Sequence, residues 1–184
     1  SSPRRSGPAS PNLLRQIDQI DGIERVRFTT SHPVDLSDGL MFSFSELRTL
    51  CEHIHLPFQS GSDRVLKRMH RGYTRASYLE KIERLKARSP SIAVTADVIV
   101  GFPGEEEEDF QETLDLMERV RFDDLFSFKY SPRSGTRAAQ FEEALAQFVA
   151  GQLFDRPQTA VAQVVDVVDF GVIRPFAQFE QVGD

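Results

Sequence analysis

The chain has 184 residues, of which 40% are hydrophobic and 27% are charged, and its formal net charge is −6. This length and composition predict one soluble globular core with at most a small appendage, and they exclude a disordered protein. No apolar run reaches the roughly 18 residues of a membrane span, and residues 1–11 lack the apolar centre of a signal peptide. The single cysteine, Cys51, excludes an internal disulfide and favours a reducing, cytoplasmic setting.

The predicted elements alternate between helices and strands. Residues 1–11 are rich in Ser, Pro and Arg, and we expect them to be unstructured. Ser43 and Ser45 are the candidate caps of the helix predicted over 36–50. Hydrophobic periodicity predicts helices over 13–20, 36–50, 63–69, 77–87 and 105–120, and strands over 23–30, 53–58, 92–104 and 123–132.

Four repeats of strand, polar turn and helix predict an α/β fold with four parallel strands and crossover helices. In such folds ligands bind at the carboxyl ends of the strands, where the polar turns gather. The strand over 92–104, "IAVTADVIVGFPG", is β-branched almost throughout, which predicts burial on both of its faces. The acidic segment 140–184 contains "TAVAQVVDVVDF", which fits either a strand or a buried helix.

The turn in "DVIVGFPGEEEEDF" is the most informative motif. Gly101 and Gly104 bracket Phe102 and Pro103, and glycines at these points let the backbone approach a ligand closely. Glu105 then opens the next helix. A plainer interpretation is a tight strand-to-helix turn whose acidic residues only favour the start of the helix.

The turn "QSGSD" follows an apolar run and precedes a basic helix. Its small polar residues fit a nest for a phosphate or carboxylate, although Ser62 or Asp63 also fits a simple N-cap. Gln59 is harder to explain structurally, because a polar amide among apolar neighbours needs a hydrogen-bond partner.

Histidines occur at two strand-associated places. In "TTSHP" residues 29–31 offer hydroxyls and His32 an imidazole, but a lone histidine before proline is more often structural than catalytic. His53 and His55 belong to the second predicted strand, and we expect them not to point at one site. The sequence therefore predicts no metal site.

A basic stretch follows the "QSGSD" turn. Residues 64–88 contain nine Lys and Arg residues, a concentration that suits the phosphates of a nucleic acid. The plainer alternative is a solvated helix face. The candidate nucleic-acid contacts are Arg64, Lys67, Arg68, Arg71 and Arg75.

Taken in order, "RFTTSHP", "HLPFQSGSDRVLKRMHRGYT", "DVIVGFPGE" and "FSFKYSPRSGT" resemble the tRNA methylthiotransferases of the radical S-adenosylmethionine superfamily. The resemblance covers residues 13–139 and favours the branch that adds a methylthio group to N6-isopentenyl-adenosine in tRNA. It implies a transferase with S-adenosylmethionine and [4Fe–4S] clusters as cofactors and tRNA as partner. It also implies a partial βα barrel of the radical SAM type, whose third to sixth strands are those predicted here.

The resemblance assigns cofactor contacts to ten residues at the strand ends. Gln59 and Ser60 would lie beside the ribose and methionine of S-adenosylmethionine, and Asp97 would lie on the strand that leads to the adenine side. Tyr130 and Ser131 would border the adenine from the last strand. The turn that would pack on the adenine consists of Gly101, Phe102, Pro103, Gly104 and Glu105. No catalytic side chain is assigned.

The chain departs from this family in its cysteines. The family's Cys-x3-Cys-x2-Cys loop is absent, and Cys51, in a helix-like stretch, matches none of its ligands. We therefore expect an N-terminus over 1–11, a partial barrel over 12–139 and an unassigned acidic tail over 140–184. Two functions stay open: a methylthiotransferase segment that is inactive by itself, or a non-catalytic nucleoside- or RNA-binding module. An exposed sheet edge favours self-association or a partner in either case.

Overall fold

A computed structural model describes residues 11–30, 32–131 and 162–164 of the chain. The predicted disorder before Pro11, the hydroxyl of Ser31 and the turn "SPRSGT" beyond Ser131 lie outside these residues. Most of the acidic tail also lies outside them, so the limits of the three expected segments stay predictions.

The described residues form five α-helices, a short 3-10 turn and four strands. The strands pair in parallel in the order β1-β2-β3-β4, with α3 and α4 crossing from β1 to β2 and α5 crossing from β2 to β3. None of the described helices is long and apolar enough to cross a membrane. The helices are α1 (Pro11–Asp18), α2 (Asp38–Glu46), α3 (Asp63–Arg68), α4 (Arg75–Arg88) and α5 (Glu107–Val120), the 3-10 turn is Pro33–Asp35, and the strands are β1 (His53–His55), β2 (Ala93–Val100), β3 (Asp124–Lys129) and β4 (Ala162–Val164).

The predicted α/β fold with a parallel sheet is confirmed, but one of its strands is not the one expected. The segment 23–30 forms only a single parallel bridge, between Val26 and Leu50. The residues on either side of Val26 are charged and exposed, so they gain little from packing on a strand surface. Ala162–Val164 instead supplies the fourth strand, beside β3.

Helix α2 is shorter than predicted, and its predicted caps are wrong. Ser37 precedes the helix, and its hydroxyl accepts the N–H of Leu40 at 3.3 Å. Ser43 and Ser45 lie inside the helix, where each hydroxyl donates to a carbonyl of the preceding turn and cannot cap. Because the helix ends at Glu46, Cys51 lies between α2 and β1 rather than in a helix.

One face of the sheet is covered by helices, and this decides which side chains are buried. Buried and half-buried residues alternate along the whole of β2, so the predicted burial on both faces is wrong. Successive side chains of a strand point to opposite faces, and the helices α4 and α5 cover only one of them. The half-buried side chains of the other face, which we call the inner face, include Thr95, Asp97 and Ile99.

The turn that follows β1 packs directly against the backbone of α5. The N–H of Gly61 donates to the hydroxyl of Thr113 at 2.9 Å. A Cβ added to Gly61 would lie 2.4 Å from the carbonyl oxygen of Glu112, and a helix backbone has little freedom to move aside. The contact therefore needs a glycine, and it fixes the position of this turn against α5.

We expect Gly61→Ala to lower the free energy of unfolding by about 1–3 kcal/mol, because the added methyl group overpacks the contact with α5. Urea unfolding measures the change as a lower midpoint at an unchanged slope. Gly72→Ala is the matched control, since a Cβ there has no heavy atom within 4 Å. Equal midpoints for the two variants would contradict the close contact.

Candidate functional site

The carboxyl ends of β1, β2 and β3 meet at one edge of the sheet. Beyond β1, the N–H of Gln59 donates to the carbonyl of Asp97 at 3.0 Å, and its own carbonyl accepts the N–H of Ile99 at 2.8 Å. Beyond β3, the N–H of Tyr130 donates to the carbonyl of Val100 at 2.8 Å. These bonds extend the pairing and bring three of the predicted strand ends together.

Gln59 and Ser60 end the extension of β1, and both are buried. Gln59 has a φ of 65°, an uncommon conformation for a residue with a side chain and one that is enriched at functional sites. The Ser60 hydroxyl lies 3.5 Å from that of Thr113 and accepts the N–H of Ser62 at 3.2 Å. The structure therefore places the Ser60 hydroxyl against α5.

The side chain of Glu105 stabilises the turn of residues 101–105, which we call the glycine-rich turn. Its Oε2 accepts the N–H groups of Gly101 at 2.6 Å and Phe102 at 3.1 Å. The turn needs glycine at Gly101 and Gly104, whose φ angles are 71° and 75°. Because Glu105 turns back onto this loop, α5 begins at Glu107 rather than at the predicted residue.

The carboxyl group of Glu105 has an unusual environment. Burial raises its pKa to about 7, against the lowering effect of the backbone hydrogen bonds from Phe102 and Gly101. Its Oε1 is buried and has no hydrogen-bond partner among the described residues. A neutral carboxyl group tolerates such a position better than a carboxylate does, because burial penalises the charged form.

Asp109 links the turn after β1 to the turn after β2. It accepts the hydroxyl of Ser62 at 2.6 Å and the N–H of Glu106 at 2.8 Å, and it pairs with the guanidinium of Arg64. Arg64 also donates to the carbonyl of Gly104 at 3.0 Å. Burial alone would raise the pKa of Asp109, but the bonds from Arg64 and Ser62 hold it below its ordinary value.

The structure separates the basic residues that were predicted to contact a nucleic acid. Arg64 is committed to the network around Asp109. Arg68 lies over the glycine-rich turn, since a Cβ added to Gly104 would lie 2.5 Å from its Nη1. Both guanidinium groups therefore support the turn after β2.

The other three basic residues lie farther along the same surface. Lys67 is exposed on α3, and Arg71 is half-buried in the loop that follows. Arg75 opens α4, where its N–H donates to the carboxylate of Asp63 at 2.6 Å. Lys67 is thus exposed, and Arg71 and Arg75 are half-buried on the same surface.

Tyr130, which follows β3, makes an aromatic contact with Phe102 in the glycine-rich turn. The rings of Phe102 and Tyr130 meet edge to face at a centroid distance of 5.2 Å. The hydroxyl of Tyr130 is buried and has no hydrogen-bond partner among the described residues. Pro103 is buried in the turn, whereas Ser131 is exposed. An unpaired buried hydroxyl beside an apolar ring suits a ligand that carries a polar group.

The expectation that His53 and His55 do not point at one site is wrong. Residues two apart in a strand share a face, and both rings reach the hydroxyl of Thr95, at 3.4 Å from Nε2 of His53 and 3.0 Å from Nδ1 of His55. The other nitrogen of His55 lies 3.3 Å from a carboxylate oxygen of Asp97. The alternation around Ile54 was the sequence signal for this polar cluster.

His32 has a structural place in the turn before α2. Its Nδ1 accepts the N–H of Val34 at 3.3 Å, and its ring meets that of Tyr73 edge to face at 5.0 Å. Burial lowers the pKa of His32. Nearby, the hydroxyl of Thr30 donates to the carbonyl of His55 at 2.7 Å and so ties this turn to β1.

The parallel strands, the crossover helices and the polar turns at one sheet edge define a partial βα barrel of the α/β class. The profile of the Radical SAM superfamily matches residues 7–117, which is more than half of the chain. The chain belongs to the Radical SAM superfamily.

Several curated relatives of high sequence identity carry the same name. The tRNA-2-methylthio-N(6)-dimethylallyladenosine synthase of Syntrophus aciditrophicus is 62% identical over 135 residues, which are 73% of this chain and 29% of that protein. The synthase of the same name from Geobacter sulfurreducens is 57% identical over 152 residues, 83% of this chain and 34% of that protein. The chain therefore spans about a third of the length of the curated relatives it matches.

Solved structures support the fold alone. The radical S-adenosylmethionine methyltransferase TsrM of Kitasatospora setae superposes with a TM-score of 0.52 at 17% identity, covering 64% of this chain and 22% of that one. The archaeal Elp3 of Methanocaldococcus infernus superposes with a TM-score of 0.50 at 18% identity, covering 61% and 26%.

The residues of this chain suit the two cofactors of the superfamily differently. An iron–sulfur cluster is held by several thiolates, and the sequence has only Cys51. In the part of the chain that the structure describes, no three His, Cys, Asp or Glu side chains are grouped to hold a metal ion. The cluster therefore does not fit these residues alone. The adenine side of S-adenosylmethionine does fit, because the unpaired Tyr130 hydroxyl and the Phe102 ring offer a polar and an apolar contact.

We expect Glu105→Gln to change how stability depends on pH. The ordinary pKa of 4.5 rises to about 7 on folding, so the folded chain holds an extra proton between these values. The stabilisation from Glu105 is complete below 4.5 and is lost as the pH rises through 7. As the pH rises, the free energy of unfolding of Glu105→Gln should therefore increase relative to that of the native chain. Above pH 7 this relative increase should reach about 2–3 kcal/mol.

Denaturant midpoints measured between pH 5 and pH 8 test this expectation. Glu108→Gln is the matched control, because Glu108 is exposed in the first turn of α5. If the stability curves of the native chain and Glu105→Gln run parallel over this range, Glu105 does not bind the extra proton.

Proposed function

We propose that the chain is the barrel segment of a tRNA methylthiotransferase that adds a methylthio group to N6-isopentenyl-adenosine in tRNA. The observation that carries the proposal is the meeting of Gln59, the glycine-rich turn and Tyr130 at one sheet edge. The name shared by the curated relatives supports the choice of reaction and substrate. When bound in this superfamily, S-adenosylmethionine supplies the 5′-deoxyadenosyl group for radical chemistry.

In this proposal, the residues of the chain bind and orient the cofactor. Phe102 and Pro103 give the adenine an apolar surface. The Tyr130 hydroxyl, which has no hydrogen-bond partner among the described residues, forms a hydrogen bond with the adenine. Glu105 holds the backbone of the turn in place through its two N–H contacts. Gln59 shapes the end of β1, at the side where the ribose and methionine would lie.

We further propose that the chain is inactive by itself. It supplies one thiolate, Cys51, whereas the family holds its cluster with three. After anaerobic reconstitution we expect iron and sulfide far below one cluster per chain, and no 5′-deoxyadenosine from S-adenosylmethionine with a reductant. Cys51→Ala should show the same background iron. A stoichiometric cluster with reductant-dependent 5′-deoxyadenosine would contradict this proposal.

The proposed partner is tRNA, and the cytoplasm is the proposed location because tRNA is modified there. Lys67 and Arg71 are the basic residues best placed to meet phosphates, since Arg64 is engaged with Asp109. Arg68 and Arg75 would support the same surface. No described strand pairs with the outer edge of β1, and this edge is the proposed place for self-association or for further barrel strands.

Replacing Lys67 and Arg71 together by alanine should weaken tRNA binding at low salt. Loss of two phosphate contacts should reduce the slope of log affinity against log salt by about 1.5. The control is Arg15→Ala with Arg119→Ala, which removes the same charge from residues paired with Glu46 and Glu83. An equal loss in both double variants would mean that only net charge matters.

A further inference from the structure

The turn before α2 and the loop between α3 and α4 meet beside the carboxyl end of β1. The hydroxyl of Thr30 donates to the carbonyl of His55, the last residue of β1, at 2.7 Å. The hydroxyl of Tyr73, in the loop before α4, donates to the carbonyl of Phe58 at 2.9 Å. The ring of His32 packs edge to face on that of Tyr73 at a centroid distance of 5.0 Å. Both segments are therefore anchored to the same strand end, and His32 lies between them.

The hydrogen bonding of His32 leaves one ring nitrogen able to donate. Its Nδ1 accepts the N–H of Val34 at 3.3 Å, so the proton of the neutral ring is on Nε2. This Nε2 has no hydrogen-bond partner among the described residues. Burial lowers the pKa of His32 most, and the charges of Arg71 and Lys81 lower it against the raising effect of Asp35. His32 is thus a neutral N–H donor in one tautomer.

Positive charge surrounds this donor. Arg71 is half-buried, and its guanidinium makes no hydrogen bond or ion pair with another described residue. Lys81 of α4 reaches the same turn, where its Nζ donates to the carbonyl of Leu36 at 2.9 Å. Among the described charged groups that shift the pKa of His32, two are basic and one, Asp35, is acidic. A ligand with negative charge is therefore favoured beside His32.

A group with two acceptor oxygens and a negative charge satisfies both unpaired donors at once. A guanidinium presents N–H groups in a planar fork that matches phosphate oxygens, and such charge-assisted hydrogen bonds are stronger than neutral ones. A neutral imidazole adds a further N–H without repelling the guanidinium. Arg71 also belongs to the basic surface proposed above for tRNA, so these donors continue that surface toward the sheet edge.

We propose that His32 and Arg71 form a site, which we call the rim site, for one phosphodiester group. Nε2 of His32 and the guanidinium of Arg71 donate to its two non-bridging oxygens, and Lys81 adds positive charge nearby. Phosphate contacts fix the register and orientation of a nucleic acid without reading its bases. His32 and Arg71 would thus position tRNA against the carboxyl end of the strands. The choice of tRNA as the source of the phosphate rests on the proposed function.

The test is an NMR titration of the imidazole of His32 in the whole 184-residue chain. The probe is dimethyl phosphate, a phosphodiester that keeps its single negative charge throughout the range in which histidine titrates. We expect it to shift the His32 resonances and to raise the His32 pKa by about 1, because a nearby anion favours the charged imidazolium. Trimethyl phosphate, which has a similar shape and no charge, should do neither. His53, whose pKa burial also lowers, is an internal control.

Two variants separate the donors. Arg71→Gln should weaken the binding of dimethyl phosphate about fivefold to tenfold, because a charge-assisted hydrogen bond is lost. It should also raise the pKa of His32 in the free chain, because the charge of Arg71 lowers that pKa. The matched control is Arg15→Gln, which removes the same charge from a residue paired with Glu46 and should bind like the native chain.

His32→Asn removes the Nε2 donor while it keeps an acceptor for the N–H of Val34, as asparagine does at helix caps. We expect it to weaken the binding of dimethyl phosphate severalfold, measured from the amide shifts of Val34 and Tyr73. Unchanged affinity in a folded His32→Asn chain would contradict the role of His32.

A single-stranded RNA oligonucleotide distinguishes the sources of the phosphate. If the source is tRNA, this RNA should raise the pKa of His32 at an at least about tenfold lower concentration than dimethyl phosphate, because neighbouring phosphates bind together. A response to dimethyl phosphate without a response to RNA would support the rim site for a small phosphate ester and contradict tRNA as its ligand.

Two results would overturn the rim site. The first is equal effects of dimethyl phosphate and trimethyl phosphate on His32, or equal affinity of Arg71→Gln and Arg15→Gln for dimethyl phosphate. The second is RNA binding that shifts the amide of Lys67 and leaves the pKa of His32 unchanged. The second result would leave the proposed function standing, since the RNA would still bind the basic surface.

Discussion

The buried carboxylate of Asp109 is the group on which the geometry of the strand ends depends. Its three kinds of donor come from different places: Ser62 opens α3, Glu106 opens α5, and Arg64 reaches on to Gly104 in the glycine-rich turn. The carboxylate is buried, whereas the Arg64 side chain is 44% exposed, so water screens part of their attraction and the hydrogen bonds from Ser62 and Glu106 share in stabilising the charge. Asp109 therefore links the turn after β1 to the turn after β2, in addition to the contact of Gly61 with α5 and the hydrogen bonds from the second turn to Glu105.

Two carboxyl groups four residues apart serve this edge in opposite ways. Asp109 has a charged partner, and its pKa lies below the ordinary value despite burial. Glu105 has only backbone donors and one unpaired oxygen, and burial raises its pKa to about 7. Asp109 thus supplies a charge that organises the surroundings, whereas Glu105 holds a turn through backbone hydrogen bonds at a buried position that penalises its charged form. The difference arises from the partners, since both side chains are buried.

Local patterns in the sequence predicted the parallel α/β fold, helices α4 and α5 and the capping role of Ser62. They failed where the outcome depended on distant residues. The strand at Ala162–Val164 depends on pairing with β3, and the bond between Arg64 and Asp109 joins residues 45 apart. The spacing of Glu106 and Asp109, typical of a capping box, was a local signal that went unused. The shared contact of His53 and His55 with Thr95 was not predicted, because the two histidines were expected to face opposite sides of the strand.

The two faces of the sheet meet different constraints. The helix-covered face is apolar, as burial requires, with Val94, Ala96 and Val98 fully buried. The inner face instead keeps His55 and Asp97 half-buried, where each polar atom needs a partner and apolar side chains would be more stabilising. A sequence that departs from the most stable choice at neighbouring positions, and then satisfies most of the resulting hydrogen bonds, indicates selection for something other than stability.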